Sequence, residues 1–208
     1  MKYSKFRVCG LFILSALLAQ GLQGATVFST ITPVTASEGT SASINLNASL
    51  GPVTDSSNDI QFTVQDLGEN STVTAQGVNS GEIAQIGIFD VNRFEAGDAV
   101  DSTATYSSTG ATLAIDNSIG LSLGNWGGGA TAYVGIKFLI SGATHYGFAR
   151  VTWAPDNDGS TALSSATIDQ IGFNTVAGAP AIIPAPVPEP STAMLFCLAG
   201  FSLFRRKR

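Results

Sequence analysis

His145 is the single histidine of the chain, and histidine is the side chain best placed for general acid–base work near neutral pH. It would need a nucleophile beside it, and no Gly-x-Ser-x-Gly elbow occurs to supply one. A zinc site is equally short of ligands, because there is no His-Glu-x-x-His and both cysteines lie near the ends. A packing role at a hairpin edge is therefore expected for His145. Glu95, Asp98 and Asp101 are close enough in sequence to offer the paired carboxylates of a glycosidase. Fourteen acids between Glu38 and Asp169 make such neighbours common, however. Asp156-Asn157-Asp158-Gly159 places oxygen ligands at i and i+2 before a glycine, as the front of a calcium loop does. Its twelfth position is Thr167 where the bidentate glutamate belongs, so no EF-hand is expected. Asp156 and Asp158 are kept as calcium candidates, with a polar turn as the plainer reading.

Asn125-Trp126-Gly127-Gly128-Gly129 is glycine-rich like a phosphate loop, but no Lys-Ser or Lys-Thr follows it. It reads as a turn. Trp126, or Tyr146, with Asp side chains could instead hold a sugar ring, which makes a lectin-like module the alternative function. Asn47-Ala48-Ser49 and Asn70-Ser71-Thr72 are formal glycosylation sequons. No catalytic residue and no cofactor emerge from these motifs, so an activity is not expected of the body.

The elements that would position such residues are strands. Ile44, Leu46, Ala48 and Leu50 alternate with polar residues, and so do Ile60, Phe62 and Val64. That period of two marks strands with one buried and one wet face. Thr26–Ile31, Thr72–Gln76, Ile83–Phe89, Ala111–Ile115 and Ala166–Phe173 are further strand candidates. The clearest pair spans Ala132 to Trp153. Two runs rich in β-branched and aromatic residues are joined there by Ser141-Gly142-Ala143-Thr144, which reads as a hairpin. Its Val134, Ile136, Phe138 and Ile140 should face the core. No stretch of the body carries a capped apolar stripe of helical period. The expected fold is all-β, an antiparallel sandwich or jelly roll over residues 25–178.

Charge narrows the partners. Among 208 residues, the ten Lys and Arg are concentrated at the ends, with only Arg93, Lys137 and Arg150 between. Against fourteen acids the body carries a net charge of −11. Such a surface repels phosphate, so nucleic acid is not expected as a partner. With Cys9 and Cys197 both in the terminal segments, the body has no internal disulfide to draw on.

The terminal segments themselves are legible. Lys2, Lys5 and Arg7 precede the apolar run Leu11–Ala19, and small residues follow, so residues 1–24 are expected to be a secretory signal peptide handled by signal peptidase. Cys9 precedes that run rather than ending it, so it is not read as a lipobox cysteine. Residues 179–187 are proline-rich and are expected to form an extended spacer. Beyond them come Pro188-Glu189-Pro190, thirteen mostly apolar residues (192–204), and Arg205-Arg206-Lys207-Arg208. As a helix the run would span about 20 Å, short of a hydrocarbon core of about 30 Å. The basic residues would hold one end in the cytoplasm and leave the body outside.

This order of parts resembles the PEP-CTERM sorting signal. The resemblance implies recognition of Pro188, Glu189 and Pro190 by a membrane-embedded exosortase, which cuts near the motif and passes the protein outward. Arg205, Arg206, Lys207 and Arg208 would act as the cytoplasmic stop. It also implies a short transmembrane helix in the inner membrane before processing, with the product at the cell surface or in the extracellular matrix. Surface polysaccharide is a possible partner of the body there. Segments such as Gly97-Asp98-Ala99-Val100 and His145-Tyr146-Gly147-Phe148 resemble β-rich bodies that often precede this signal, which implies a common domain and no activity. The expected function is a non-enzymatic, exosortase-sorted surface or matrix protein, with the lectin-like module as alternative and a secreted glycoside-active enzyme behind it.

Overall fold

A computed structural model of the chain describes residues 25–46, 59–66, 70–117, 122–123, 125–126, 131–154 and 164–185. Every element whose bounds lie within them is a strand. In chain order these are β1 (Thr26–Ser37), β2 (Thr40–Ile44), β3 (Ile60–Asp66), β4 (Asn70–Gly77), β5 (Glu82–Ile86), β6 (Asp90–Val91), β7 (Arg93–Phe94) and β8 (Ala99–Val100). They continue as β9 (Thr105–Ser107), β10 (Ala111–Asn117), β11 (Ser122–Leu123), β12 (Thr131–Ile140), β13 (Ala143–Ala154), β14 (Ser165–Asn174) and β15 (Ala181–Ile182).

Thirteen of these strands hydrogen-bond into one sheet, in the order β1-β14-β13-β12-β5-β6-β10-β4-β3-β2 with β7, β9 and β11 attached at the sides. The two edge strands are consecutive in sequence. The chain leaves β1, turns at Glu38–Gly39 with Gly39 at φ +74°, and enters β2 at once. A bridge from Glu38 to Val64 and a bond from Gly39 N–H to the Val64 carbonyl (2.9 Å) fix the corner against β3. The sheet is thus nearly closed on itself. The all-β expectation holds, but the hydrogen bonds trace one nearly closed sheet and do not divide it into the two sheets of a sandwich.

The interior follows from the period-two pattern. Val134, Ile136 and Phe138 of β12 are fully buried and Ile140 packs against them, as the alternation requires. Ala149, Val151 and Trp153 of β13 join Ile168 and Ile171 of β14, while Phe62, Val64, Val73 and Leu113 face them from the other half of the sheet. The hairpin closes on two residues, not four. Ile140 pairs with Ala143 and Leu139 with Thr144, and Ser141 (φ 52°) and Gly142 (φ 80°) form the turn. Positive φ at both central residues is the type I′ geometry whose twist suits a two-residue hairpin.

A second, smaller core lies on the outer face of the same strands. Tyr146 and Phe148 of β13 project there with Phe94, Val100, Ala84, Ala181 and Ile183 around them. Gly135 opposite Phe148 makes room, since a Cβ on it would come 2.7 Å from a Phe94 ring carbon. The central strands β12 to β14 are therefore buried on both faces over part of their length. A bulge in β14 serves that outer face. Arg150 pairs with Gln170 and Val151 with Ile168, leaving Asp169 as the extra residue. Asp169 and Gln170 then both reach the outer side, where Asp169 accepts two 2.7 Å bonds from Arg150 and Gln170 accepts one from the Tyr133 hydroxyl.

The closing corner has its own polar lock. Glu38 Oε1 accepts a bond from the Ser71 hydroxyl (2.7 Å) and another from the buried Ser164 N–H (3.2 Å), so one carboxylate links the corner, β4 and the approach to β14. Glu38→Ala should lower stability by about 1–3 kcal/mol, the cost of taking a charged acceptor from a part-buried hydroxyl and a buried N–H. Urea unfolding would show this as a lower midpoint at constant slope; an unchanged midpoint would remove the corner from the account of closure.

Candidate functional site

The residues singled out for chemistry are mostly committed to the fold. Trp126 is fully buried in the main core, so it cannot stack on a sugar. Tyr146 is also buried, against the Tyr106 ring at 5.8 Å between centroids. Both corrections have one cause. An isolated aromatic in a glycine-rich or alternating stretch gives no sign of which side it takes until the register is known. His145 is inside as well. Its Nδ1 lies 2.9 Å from the Asn174 carbonyl, and its ring packs against those of Phe138 and Phe173, which also contact each other. That is the packing role expected of it.

The carboxylates shape turns. Asp98 Oδ2 accepts the Glu95 N–H (2.8 Å), Glu95 itself pairs with Arg93, and Asp101 Oδ1 takes bonds from the Thr103 N–H and hydroxyl. Among the described residues no group of three or more His, Cys, Asp or Glu could hold a metal ion. Asp156 and Asp158 lie outside the described residues, as do residues 1–24, Asn47 and the glycines after Trp126. Beside Tyr146, Lys137 pairs with Glu82 at 2.6 Å and stands 5.4 Å over the Tyr106 ring. The Tyr106 hydroxyl donates to the Asp101 carbonyl (2.8 Å). Burial, then Tyr146, Asp101 and Glu82, push the Tyr106 phenol well above its ordinary range.

What the structure does assemble is the place where the two ends of the body meet. Thr26 at the start of β1 pairs with Asn174 at the end of β14. The Thr175 N–H donates to the Ala25 carbonyl (3.4 Å), and the Ile182 N–H donates to the Thr26 hydroxyl (3.0 Å). The buried Asn174 side chain organises the turn between them, donating to the Pro180 carbonyl (2.7 Å) and accepting from the Val176 N–H (2.9 Å). From there Ala181 and Ile182 pair with Val100 and Ala99 of β8. The Ile183 N–H and carbonyl bond Asp98 and Gly97, and Ala181 and Ile183 are fully buried.

Residues 179–187 were expected to be a spacer, yet as far as Ile183 they belong to the packed body. The signal in the sequence was the apolar triplet Ala181-Ile182-Ile183 inside a proline-rich frame. A spacer has no use for two isoleucines. From Ile183 to Pro188 is five residues, at most about 18 Å of chain.

A family description of the PEP-CTERM protein-sorting motif matches residues 186–208. The chain carries a PEP-CTERM sorting signal. No curated protein and no solved structure matches the chain. The match begins three residues after Ile183, the last buried side chain described, where the two ends of the body are clamped together. Pro188, Glu189, Pro190, the apolar run and the four basic residues lie outside the described residues. Among the described residues, no helix is long and apolar enough to cross a membrane.

Two outcomes follow from this geometry. Ile183→Ala should cost about 2–5 kcal/mol and expose residues 181–183 to amide exchange; unchanged exchange would mean that the clamp does not depend on that side chain. Tyr106 keeps its proton in the fold above the pH of about 10 at which an unfolded tyrosine loses it. The unfolded state then binds fewer protons, so this contribution is complete below that pH and is lost as pH rises beyond it. Urea midpoints taken from pH 8 to 11 should fall less steeply in Tyr106→Phe than in the parent; parallel profiles would contradict the assignment.

Proposed function

We propose that the protein is a non-enzymatic component of the cell surface or extracellular matrix, exported behind a signal peptide and delivered by exosortase. The single observation that carries the reading is the PEP-CTERM motif at residues 186–208. Such a motif implies export and a C-terminus held in the membrane until it is processed. In this reading signal peptidase removes the first segment, the apolar run holds the precursor in the inner membrane, and exosortase acts near Pro188-Glu189-Pro190.

The body supports a structural role in two ways. Its histidine and its closely spaced carboxylates at 95–101 are engaged in packing and turns. Its wet faces carry hydroxyls in register across strands, with Thr35 bonded to Thr167, Thr131 to Thr152 and Ser41 to Thr63. Hydroxyl pairs of this kind stabilise neighbouring strands and add uncharged, hydrated patches to an acidic surface, which suits a polysaccharide-rich matrix. The lectin-like alternative rested on Trp126 and Tyr146, and both are interior.

Substituting Pro188, Glu189 and Pro190 together by alanine should leave an uncut precursor in the membrane fraction. The parent should yield a mature chain lacking both terminal segments by intact mass. An identical mature mass from both would sink the sorting mechanism.

A further inference from the structure

The register of β1, β14, β13 and β12 sets Thr30, Gln170, Arg150 and Tyr133 side by side in one row across the outer face. Two residues back along β1, Phe28 opposes Gly172. Phe28 stands on that same face, because a Cβ added to Gly172 would come 2.9 Å from the Phe28 Cβ and 2.4 Å from the ring of Phe148. Phe148 is closed off within the outer core, whereas Phe28 is 53 % exposed. Gln170 is its diagonal neighbour across the β1–β14 pair, at about 7–8 Å. An open aromatic ring thus borders a row of planar polar side chains.

We propose that this face binds a neutral polysaccharide, with one sugar ring on Phe28 and the next bonded to Gln170 and Asp169. Such a partner deepens the matrix reading above, on which it rests only for the supply of glycan, and it involves neither Trp126 nor Tyr146. A hexose has C–H groups on its faces and hydroxyls around its rim. Its site therefore needs an apolar surface beside donors and acceptors that are already fixed. Phe28 supplies the surface. Arg150 fixes Asp169 with two 2.7 Å bonds, and the Tyr133 hydroxyl fixes Gln170 through its Oε1 (3.2 Å). Both side chains keep capacity for a ligand. A carboxylate accepts at about four positions, and the Gln170 amide N–H groups have no acceptor among the described residues. The bulge in β14 is what brings Asp169 to this face beside Gln170.

Charge selects the class of glycan. Within the face Arg150 and Asp169 cancel, and the other groups are amide, phenol and hydroxyl. Beyond the bulge the face continues as the hydroxyl pairs Thr35–Thr167 and Thr131–Thr152, so a chain crossing it meets no further charge. The body around it is strongly acidic. Polyuronates and sulfated chains are repelled by that field, and neutral chains are not. A second copy of the body carries the same acidic charge and is opposed in the same way.

The test is affinity electrophoresis of the full chain, kept in solution by a polyoxyethylene detergent that carries no sugar. Native gels are cast with dextran, β-glucan or galactomannan, and with alginate as the acidic counterpart. At least one neutral polysaccharide should retard the parent, and alginate should not. Phe28→Ala should weaken the apparent affinity about tenfold, the scale of the apolar contact of one half-exposed ring. Gln170→Glu keeps the acceptor for Tyr133 and removes both donors, so it should reduce retardation while the urea midpoint stays in place. Ile88→Ala, in the turn after β5, should migrate as the parent does. No retardation in any neutral gel would overturn the site, and so would equal retardation of all three variants. Retardation by alginate would overturn the neutral class. Concentration-dependent migration without polysaccharide, abolished by Phe28→Ala, would put a second copy on the face and overturn the glycan. None of these outcomes touches the sorting reading, which is decided by the mass of the processed chain.

Discussion

The corner at Glu38–Gly39 is the constraint on which the rest of the sheet depends. It makes the first and last strands of the sheet's hydrogen-bonding order immediate neighbours in sequence, so the sheet's curl is set by a two-residue turn. An open sheet of this size would present two long rows of unpaired N–H and C=O groups, and Val-, Thr- and Ala-rich edges of that kind invite pairing with another chain. Bringing the edges together shields them and encloses the apolar faces in one volume. Gly39 can take the left-handed conformation the corner needs, and Glu38 supplies an acceptor for the donors that arrive from β4 and from Ser164. A body without cysteines relies on such covalency-free closure.

The second constraint is that β12, β13 and β14 carry two cores. Their inner faces follow the plain alternation of an amphipathic strand. Their outer faces depart from it, with Tyr146 and Phe148 where polar residues would be expected. Gly135 and Gly172 lie opposite Phe148 to receive the aromatic rings. That departure is the reason β8 and β15 exist. Two-residue strands have little stability of their own, and here they are held by what they cover. The bulge at Asp169 marks the border of this region, beyond which the outer face returns to hydroxyl pairs.

The strand positions were readable because a half-buried strand writes its period into the sequence, and β3, β4, β10, β12, β13 and β14 all do so. Ile83–Phe89 was readable only in part. Its first residues are β5, but Gly87 at φ +69° turns the chain, and Ile88 and Phe89 are left exposed. Composition alone could not distinguish an exposed apolar turn from the end of a strand. The closure was not readable either, because nothing local in Glu38-Gly39 differs from any other tight turn. Its meaning lies in the pairing of β2 with β3 and of β1 with β14, far apart in sequence. The sorting motif is the opposite case. Its recognition depends on the linear order of Pro-Glu-Pro, apolar run and basic residues, and needs no fold.

The meeting of the two ends ties these levels together. Thr26 pairs with Asn174 and bonds Ile182, so the first strand of the body is completed by its last residues. Contacts of such large sequence separation form late, after the loop-closure entropy of the intervening chain has been met by other pairings. The outer core cannot be covered until Ala181 and Ile183 are available, and those residues stand at the threshold of the PEP-CTERM signal. The body is therefore complete only when the chain up to that signal has emerged on the same side. The matched sorting motif begins three residues after Ile183, the last buried residue described, so the strand that covers the outer core and the motif occupy adjoining parts of the chain.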